Sequence, residues 1–401
     1  MKRIYAQALA EALSEYRQML FVSGPRQVGK TTLARDLLSS DQDRYYNWDN
    51  IGHRQLILSG VDKVAMHAGL DQLHSQPPVL AFDELHKYKD WKNWLKGFFD
   101  QYEKQAHILV TGSARMDIFR KGGDSLMGRY FHYRMHPLSM RELAAGFDSS
   151  LELQHVRQPG KEALAQLLKF GGFPEPFLQA NTRFSNRWQK LRQQQLIYED
   201  IRDASQVQEI AQLEILAQLL AQQSGQVTRY STLAKQIRVS VDTIRRWLVV
   251  LESFYYCYHV RPWFKNITTA LRKEPKTYLW DWSQLTDKGA RNENFIASHL
   301  LKAVHWWTDR GLGQYDLHYL RTKDQKEVDF LVSKDGKPWF LVEVKSTANH
   351  AINKHLGWFQ KKTGAQHAFQ LAMDLPYVEA DCFATEKPTK IPVENLLMRL
   401  V

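Results

Sequence analysis

Residues 21–33 constrain this chain more than any others: Phe21-Val22-Ser23-Gly24-Pro25-Arg26-Gln27-Val28-Gly29-Lys30-Thr31-Thr32-Leu33. An apolar pair leads into Gly-x-x-x-x-Gly-Lys-Thr, and an amphipathic run through Leu37 and Leu38 follows. Strand, glycine loop, helix is the order that a phosphate-binding loop requires. Gly24 and Gly29 permit a tight turn without Cβ clashes, so successive backbone N–H groups converge on a phosphate. The N-terminus of the following helix adds its partial positive charge at the same point. Lys30 then reaches the β- and γ-phosphates, and the Thr31 hydroxyl enters the shell of a Mg²⁺ ion. The expected ligands are ATP and Mg²⁺, cradled by Gly24, Pro25, Arg26, Gln27, Val28, Gly29, Lys30, Thr31 and Thr32. The competing reading is a glycine-rich turn that happens to carry a lysine. The full spacing and the two flanks weigh against it.

The rest of the first third fits that loop. Residues 1–20, 49–58 and 91–102 read as helical, and 45–48 and 131–135 as strands. After Pro77-Pro78 comes Val79-Leu80-Ala81-Phe82-Asp83-Glu84, four apolar residues and two acids. This is a buried parallel strand ending in carboxylates beside the loop. Asp83 is expected to hold Mg²⁺ and Glu84 to orient or deprotonate the attacking water. A strand end with solvated acids is the alternative, and the better one had the motif stood alone. His107 to Ser113 is a further apolar strand, now ending in small polar residues. Ser113, with Thr111, is a candidate to touch the γ-phosphate or its water, and a plain strand cap competes evenly. Arg129 and, second, Arg115 are candidates for an arginine that neutralises charge in a neighbouring subunit; a surface or interface arginine is the alternative. Pro137-Leu138-Ser139 leads into a helix, and the α/β core closes near residue 145.

Residues 146–210 read as helices around Lys169-Phe170-Gly171-Gly172-Phe173-Pro174-Glu175-Pro176-Phe177, a turn that fixes helices at set angles. Residues 211–263 show a helix (Leu213, Leu216, Leu219, Leu220), a short helix from Tyr230 to Ile237, a turn at Val239-Ser240 and a longer helix from Val241 to Phe254. An aromatic strand follows. This is the layout of a winged helix-turn-helix. Ser231 and Ser240 sit where N-caps belong, Ala234 is small at the helix crossing, and Ile244, Leu248 and Leu251 form the packed face. Thr243, Arg245 and Arg246 then point outward. Residues 181–280 hold fifteen Lys and Arg against eight Asp and Glu. DNA contact is the functional reading; docking of a protein partner is the alternative.

From residue 276 onward a helix (289–301), three strands (315–320, 327–332, 339–345), a helix (350–361) and a last strand (367–371) are expected. Asp335-Gly336 makes the hairpin turn between the second and third strands. Within this order stand Asp329 and Glu343-x-Lys345. Residues i and i+2 of a strand share a face, so Glu343 and Lys345 point together, with Asp329 on the adjacent strand. Two carboxylates can hold Mg²⁺, and a neighbouring lysine can position a water. Glu293 can complete the shell. A cross-strand ion pair on a solvated face competes, and the surrounding element order favours the nuclease-like reading.

Composition limits the partners. The 401 residues are 44% hydrophobic and 24% charged, enough for several packed cores. A formal net charge of +11 and a pI near 9.4 suit a nucleic-acid partner. Two cysteines, Cys257 and Cys382, cannot build a disulfide framework or a zinc cluster, and they fit a reducing cytoplasm. The N-terminal stretch is broken by Gln7, Glu11 and Glu15 and does not read as a signal peptide. No apolar run is long enough to cross a bilayer. A soluble cytoplasmic protein with no membrane partner is expected.

The order of Gly24 to Thr32, Phe82-Asp83-Glu84, Thr111-Gly112-Ser113, Gly128-Arg129-Tyr130 and Gly171-Gly172-Phe173-Pro174-Glu175 resembles a family of bacterial and archaeal AAA-type ATPases. In that family the C-terminal half is catalogued as a domain of unknown function. The C-terminal domain resembles the PD-(D/E)xK nuclease fold, with Glu293, Asp329, Glu343 and Lys345 on matching positions and Val328 where that fold carries proline. The resemblance implies a P-loop AAA-type ATPase core at 1–145, a helical lid at 146–210, a winged helix-turn-helix at 211–275 and an α/β nuclease-like domain at 276–401. It also implies a homo-oligomer, with a hexameric ring among the forms open to it. The expected function is Mg²⁺-dependent ATP hydrolysis coupled to binding and remodelling or processing of duplex or branched DNA, with metal-dependent cleavage left open. The alternative is a nucleotide-switched signalling or scaffold ATPase with an inactive nuclease-like domain.

Overall fold

The structure, a computed structural model, describes residues 3–38, 44–113, 126–160, 162–202, 207–264 and 273–401. Arg115 lies outside the described residues. The chain divides into two compact units, Met1–His136 and Pro137–Val401.

The first unit is a parallel sheet flanked by helices. Its strands are β1 (Met19–Ser23), β2 (Tyr45–Asn47), β3 (Val79–Asp83), β4 (His107–Gly112) and β5 (Tyr130–Arg134), in the order β2-β3-β4-β1-β5. Every pairing is parallel. β1 is buried at all five positions, as its uninterrupted apolar run requires of a central parallel strand. The helices are α1 (Ile4–Glu15), α2 (Lys30–Leu38), α3 (Ile51–Leu58), α4 (Val61–His67) and α5 (Trp91–Tyr102). α5 buries Trp91, Trp94, Leu95, Phe98 and Phe99, residues three and four apart on one face. They pack on Phe21, Phe82 and Val110 from the strands. α1 is shorter than the helix expected over 1–20, because the chain turns after Tyr16 to enter β1 at Met19.

The second unit begins with a segment expected to close the first. Pro137-Leu138-Ser139 leads only into a 3-10 turn, Arg141–Leu143. Its polar groups are satisfied within the second unit: Leu138 N donates to Gly172 O at 2.6 Å, Met140 N to His299 Nε2 at 3.1 Å, and Lys302 Nζ to Pro137 O at 3.1 Å. The two compact units therefore part at residue 136/137. Further on, Trp307 Nε1 donates to Glu152 O at 2.6 Å, and Arg399 donates to Gln154 O. Helices α6 (Ala163–Phe170), α7 (Pro174–Gln179) and α8 (Thr182–Gln195) follow. The turn between α6 and α7 needs its glycines: a Cβ on Gly172 would lie 2.6 Å from the Trp282 ring, which is itself buried.

α9 (Ile210–Gln222), α10 (Tyr230–Ile237) and α11 (Val241–Ser253) form one packed group. Leu213, Leu216, Leu220, Leu233, Ala234, Ile237, Ile244, Leu248 and Leu251 share its core. Ser240 caps α11 and accepts from Thr243 N at 3.0 Å. Ser231 is not a cap. α10 starts one residue earlier, at Tyr230, and its first N–H is taken by Glu274 Oε1 at 3.0 Å.

β6 (Cys257–Pro262) and β7 (Lys276–Leu279) pair antiparallel, and β6 also pairs parallel with β8 (Tyr315–Arg321). These strands continue into β9 (Glu327–Lys334), β10 (Lys337–Lys345), β11 (His367–Ala372) and β12 (Thr389–Pro392), giving one seven-stranded sheet ordered β12-β11-β10-β9-β8-β6-β7. The boundary expected at 275/276 thus runs between two paired strands. α12 (Lys288–Asp309) opens at an Asp287 cap and buries Phe295, Ile296, Leu300, Ala303, Trp306 and Trp307. α13 (Lys354–Thr363) starts later than the expected 350, because Asn353 caps it, and α14 (Val393–Leu397) ends the chain. Among the described residues no helix is long and apolar enough to cross a membrane.

Candidate functional site

The C-terminal edge of the parallel sheet gathers the residues expected at a nucleotide site. β1 ends at Ser23, β3 at Asp83 and β4 at Gly112, with Ser23 beside Gly112 and Asp83 beside Thr111. Gly24 sits against β5: a Cβ there would lie 2.3 Å from Met135 O, so no other residue fits without moving backbone. Gln27 and Gly29 both have positive φ, 63° and 102°. The loop is braced by Arg3, whose guanidinium donates to Val28 O and His136 O at 2.6 Å each.

Lys30 is buried, and its ammonium donates to Gly24 O and Pro25 O at 2.8 and 2.7 Å. Burial lowers its pKa to about 8, against the opposing pull of the Glu84 and Asp83 carboxylates. Asp83, also buried, accepts three hydroxyls: Thr31 on Oδ2 at 2.8 Å, Tyr45 on Oδ2 at 2.5 Å and Thr111 on Oδ1 at 2.5 Å. Burial, with the Asp83 carboxylate beside it, pushes the Tyr45 phenol upward. A hydroxyl and a carboxylate held together at the mouth of the loop are hard oxygen donors, which fit Mg²⁺. A glycine cradle that no Cβ can enter and a buried ammonium beside it fit a polyphosphate.

Glu84 follows Asp83 in the left-handed region, φ 56°, a sparsely populated conformation that clusters at functional sites. Its Oε2 accepts from Ser113 Oγ at 3.0 Å and lies 3.6 Å from both His86 Nε2 and Lys87 Nζ. His86 is largely buried. Its Nδ1 has no hydrogen-bond partner among the described residues, and burial lowers its pKa. Ser113 therefore reaches Glu84, whereas Thr111 reaches Asp83.

Arg129 is not part of this constellation. Met19 N donates to Arg129 O, which puts it at the N-terminal edge of β1 and β5, the edge away from the loop. Its side chain bonds Asp100 at 2.6 and 3.0 Å and lines a cavity of about 320 Å³ with Arg17 and Glu103. It cannot serve the nucleotide of its own chain.

In the second unit α12, β9 and β10 bring Glu293, Asp329, Glu343 and Lys345 together. Lys345 Nζ donates to Glu343 Oε1 at 2.7 Å, and Asn353 Nδ2 donates to the same oxygen at 2.9 Å. Asp329 Oδ2 accepts from Val344 N at 2.8 Å. Burial, with the Glu293 and Glu343 carboxylates nearby, holds the Asp329 carboxyl well above the usual range. Tyr278 OH donates to Glu293 Oε1 at 2.7 Å. A buried cation that sequence reading passed over stands among these acids. Lys276 Nζ lies 3.2 Å from Glu293 Oε1, 2.6 Å from Glu327 Oε1 and 3.8 Å from Asp329 Oδ1. Among the described residues no group of three or more His, Cys, Asp and Glu side chains is arranged to hold a metal ion. The donor set of this cluster thus does not fit the Mg²⁺ expected on Glu293, Asp329 and Glu343. The one available signal for Lys276 was a lysine at the head of the short strand Lys276-Thr277-Tyr278-Leu279. Tyr45 and Tyr278 gave no local signal.

On the flanking module, Arg245 and Arg246 are exposed, with Arg245 Nη1 3.2 Å from Asp242 Oδ1 one turn away.

Three family models match in series: "AAA domain" over residues 16–144, "Domain of unknown function (DUF8612)" over 161–287 and "Domain of unknown function (DUF4143)" over 288–386. An uncharacterized protein of Mycobacterium tuberculosis is 24% identical over 353 residues, covering 84% of this chain and 72% of its own length. One from Methanocaldococcus jannaschii is 21% identical over 331 residues, covering 79% and 72%. Among solved structures, AMPPCP-bound DnaA from Aquifex aeolicus aligns at 13% identity and TM-score 0.31 over 62% of this chain and 87% of that one. A signal transduction ATPase with numerous domains from Pyrococcus horikoshii aligns at 10% identity and TM-score 0.26 over 77% and 47%. TM-scores this low carry nothing; the strand order, the loop and the matched segment do. The chain carries an AAA domain with a P-loop ATPase core, followed by a C-terminal domain of unknown function (DUF4143).

Proposed function

We propose that the protein is a Mg²⁺-dependent ATP hydrolase of the AAA type that engages DNA. The observation carrying this reading is the gathering of Lys30, Thr31, Asp83, Thr111, Glu84 and Ser113 at one sheet edge. The loop amides and Lys30 bind and orient the phosphates. Thr31 and Asp83 would hold Mg²⁺, which when bound would neutralise charge on the phosphate oxygens. Glu84, oriented by Ser113, accepts a proton from the attacking water. Arg129, at the edge away from the loop, acts on the nucleotide of a neighbouring copy in a homo-oligomer. The exposed arginines of α11 and the basic residues around them supply the DNA contact.

Glu84→Gln is expected to keep nucleotide binding and to lower turnover by about 10²–10⁴-fold, the usual worth of a general base. Steady-state phosphate release with and without duplex, forked and four-way DNA measures both halves of the proposal. No stimulation together with no salt-sensitive DNA binding would sink the DNA half.

The Lys276 contacts favour one further reading, a nucleotide-switched scaffold whose C-terminal domain does no cleavage. In that case Lys30→Ala abolishes capture of a protein partner while DNA affinity stays negligible in every nucleotide state.

A further inference from the structure

The acids of the C-terminal cluster already have cations. Lys276 is 3% exposed, and its backbone is pinned on both sides, by pairing with Val260 of β6 and by an isolated bridge to Val227. Its ammonium is therefore delivered between Glu293, Glu327 and Asp329 by the sheet itself. The remaining charge is covered as well. Lys345 and Asn353 hold Glu343, Arg321 Nη1 stands 3.3 Å from Glu327 Oε2, and Tyr278 donates to Glu293. Gly225 closes the side of Glu293, where a Cβ would come within 3.1 Å of Oε1. Four carboxylates face three basic side chains, with Lys276 and Glu343 buried and Glu327, Arg321 and Lys345 at the partly exposed rim. A divalent ion entering beside Asp329 and Glu293 would meet an ammonium a few ångströms away, in surroundings where like charges repel strongly.

We propose that Lys276 is the resident cation of this cluster, standing where a nuclease of this shape places a divalent metal. The chain accordingly takes up no divalent ion there and does not cut DNA in this form. Removing the ammonium leaves Glu293, Asp329 and Glu343 without their cation, hard oxygen donors of the kind Mg²⁺ or Mn²⁺ takes and free to close around one. The inference rests on reading those three residues as a nuclease-like cluster and specifies what occupies it.

The test is Mn²⁺ uptake by the nucleotide-free full chain, followed by the electron paramagnetic resonance signal of free Mn²⁺. Wild type, Asp329→Asn, Lys276→Met and Lys276→Met/Asp329→Asn are compared. Wild type and Asp329→Asn are expected to take up the same amount. Lys276→Met is expected to take up one ion more per chain, lost again in the double variant, and Mn²⁺ should raise its melting temperature but not that of wild type. An ion bound by wild type and lost in Asp329→Asn overturns the role of Lys276 while leaving a metal site in place. A folded Lys276→Met that gains no ion overturns the inference together with the nuclease-like reading beneath it, and leaves the ATPase proposal untouched. Lys276→Gln replaces Lys276→Met if the latter does not fold; if neither folds, wild type against Asp329→Asn decides.

Discussion

Lys30 carries opposite obligations in the two states of its loop. Its ammonium is buried on two carbonyls, and burial lowers its pKa to about 8 from an ordinary 10.5. Between those two values the unfolded chain binds more protons than the folded one. The contribution of this group to stability therefore rises as pH climbs through that window. Phosphate binding runs the other way, because it needs the ammonium. With a folded pKa near 8, about nine in ten lysines are neutral at pH 9, and the apparent ADP affinity should be weaker by about tenfold than at pH 7. Calorimetric titration at the two pH values measures this; a flat profile means that Lys30 stays charged. Gly24 makes a steric prediction at the same loop. Gly24→Ala pushes a Cβ to 2.3 Å from Met135 O and should cost about 1–3 kcal/mol or more, with loss of nucleotide binding. Gly97→Ala, on exposed helix with nothing within 4 Å, should instead stabilise by roughly 0.5–1 kcal/mol. The loop was legible because its partners are adjacent in sequence. Tyr45 on Asp83 and Lys276 on Glu293 were not, because the pairing of β2 with β3 brings the first pair together and the packing of α12 on the sheet the second.

The helices around residue 240 separate what periodicity can give from what it cannot. Apolar spacing located α10 and α11 and named Ile244, Leu248 and Leu251 as their packed face, all of them buried. Both serines read equally well as caps. Ser240 is one, since its side chain accepts from Thr243 N, whereas Ser231 lies inside α10 and Glu274 reaches across to Tyr230 N. Ser240→Ala is thus expected to cost about 1 kcal/mol in a urea titration, and Ser231→Ala to stay within about 0.5 kcal/mol of wild type. Glu274→Ala should behave like the lost cap. Equal effects of the two serine variants would contradict these assignments. The same nonlocality governs how the segments around these helices pack. β6 and β7 pair across the expected break at 275/276, and the segment after Pro137 bonds to Gly172, His299 and Lys302. Neither is visible in the residues themselves, since any strand edge or loop offers the same donors and acceptors until a partner is chosen.

Across the whole chain the formal charge is +11, and residues 181–280 hold fifteen of the basic residues against eight acids. Charge gathered in one stretch predicts a particular response to salt. Each phosphate neutralised by Lys or Arg releases counterions, so the logarithm of the DNA association constant falls with the logarithm of salt by about 0.9 per contact. If Arg245 and Arg246 each take one phosphate, replacing both with alanine should reduce that slope by about two, and the weakening should be similar for every DNA sequence tested. The two arginines lie on the solvent side of α11, away from Ile244 and Leu248, so the substitutions should leave the packed core and DNA-independent ATP turnover intact. Fluorescence anisotropy on a labelled duplex across a range of salt gives the slope, and phosphate release gives the turnover. A slope unchanged by the double substitution places the DNA contact elsewhere on the chain. A wild-type chain with no slope at all leaves the exposed face of α11 without a nucleic-acid role and favours the scaffold reading, in which the excess charge serves a protein partner.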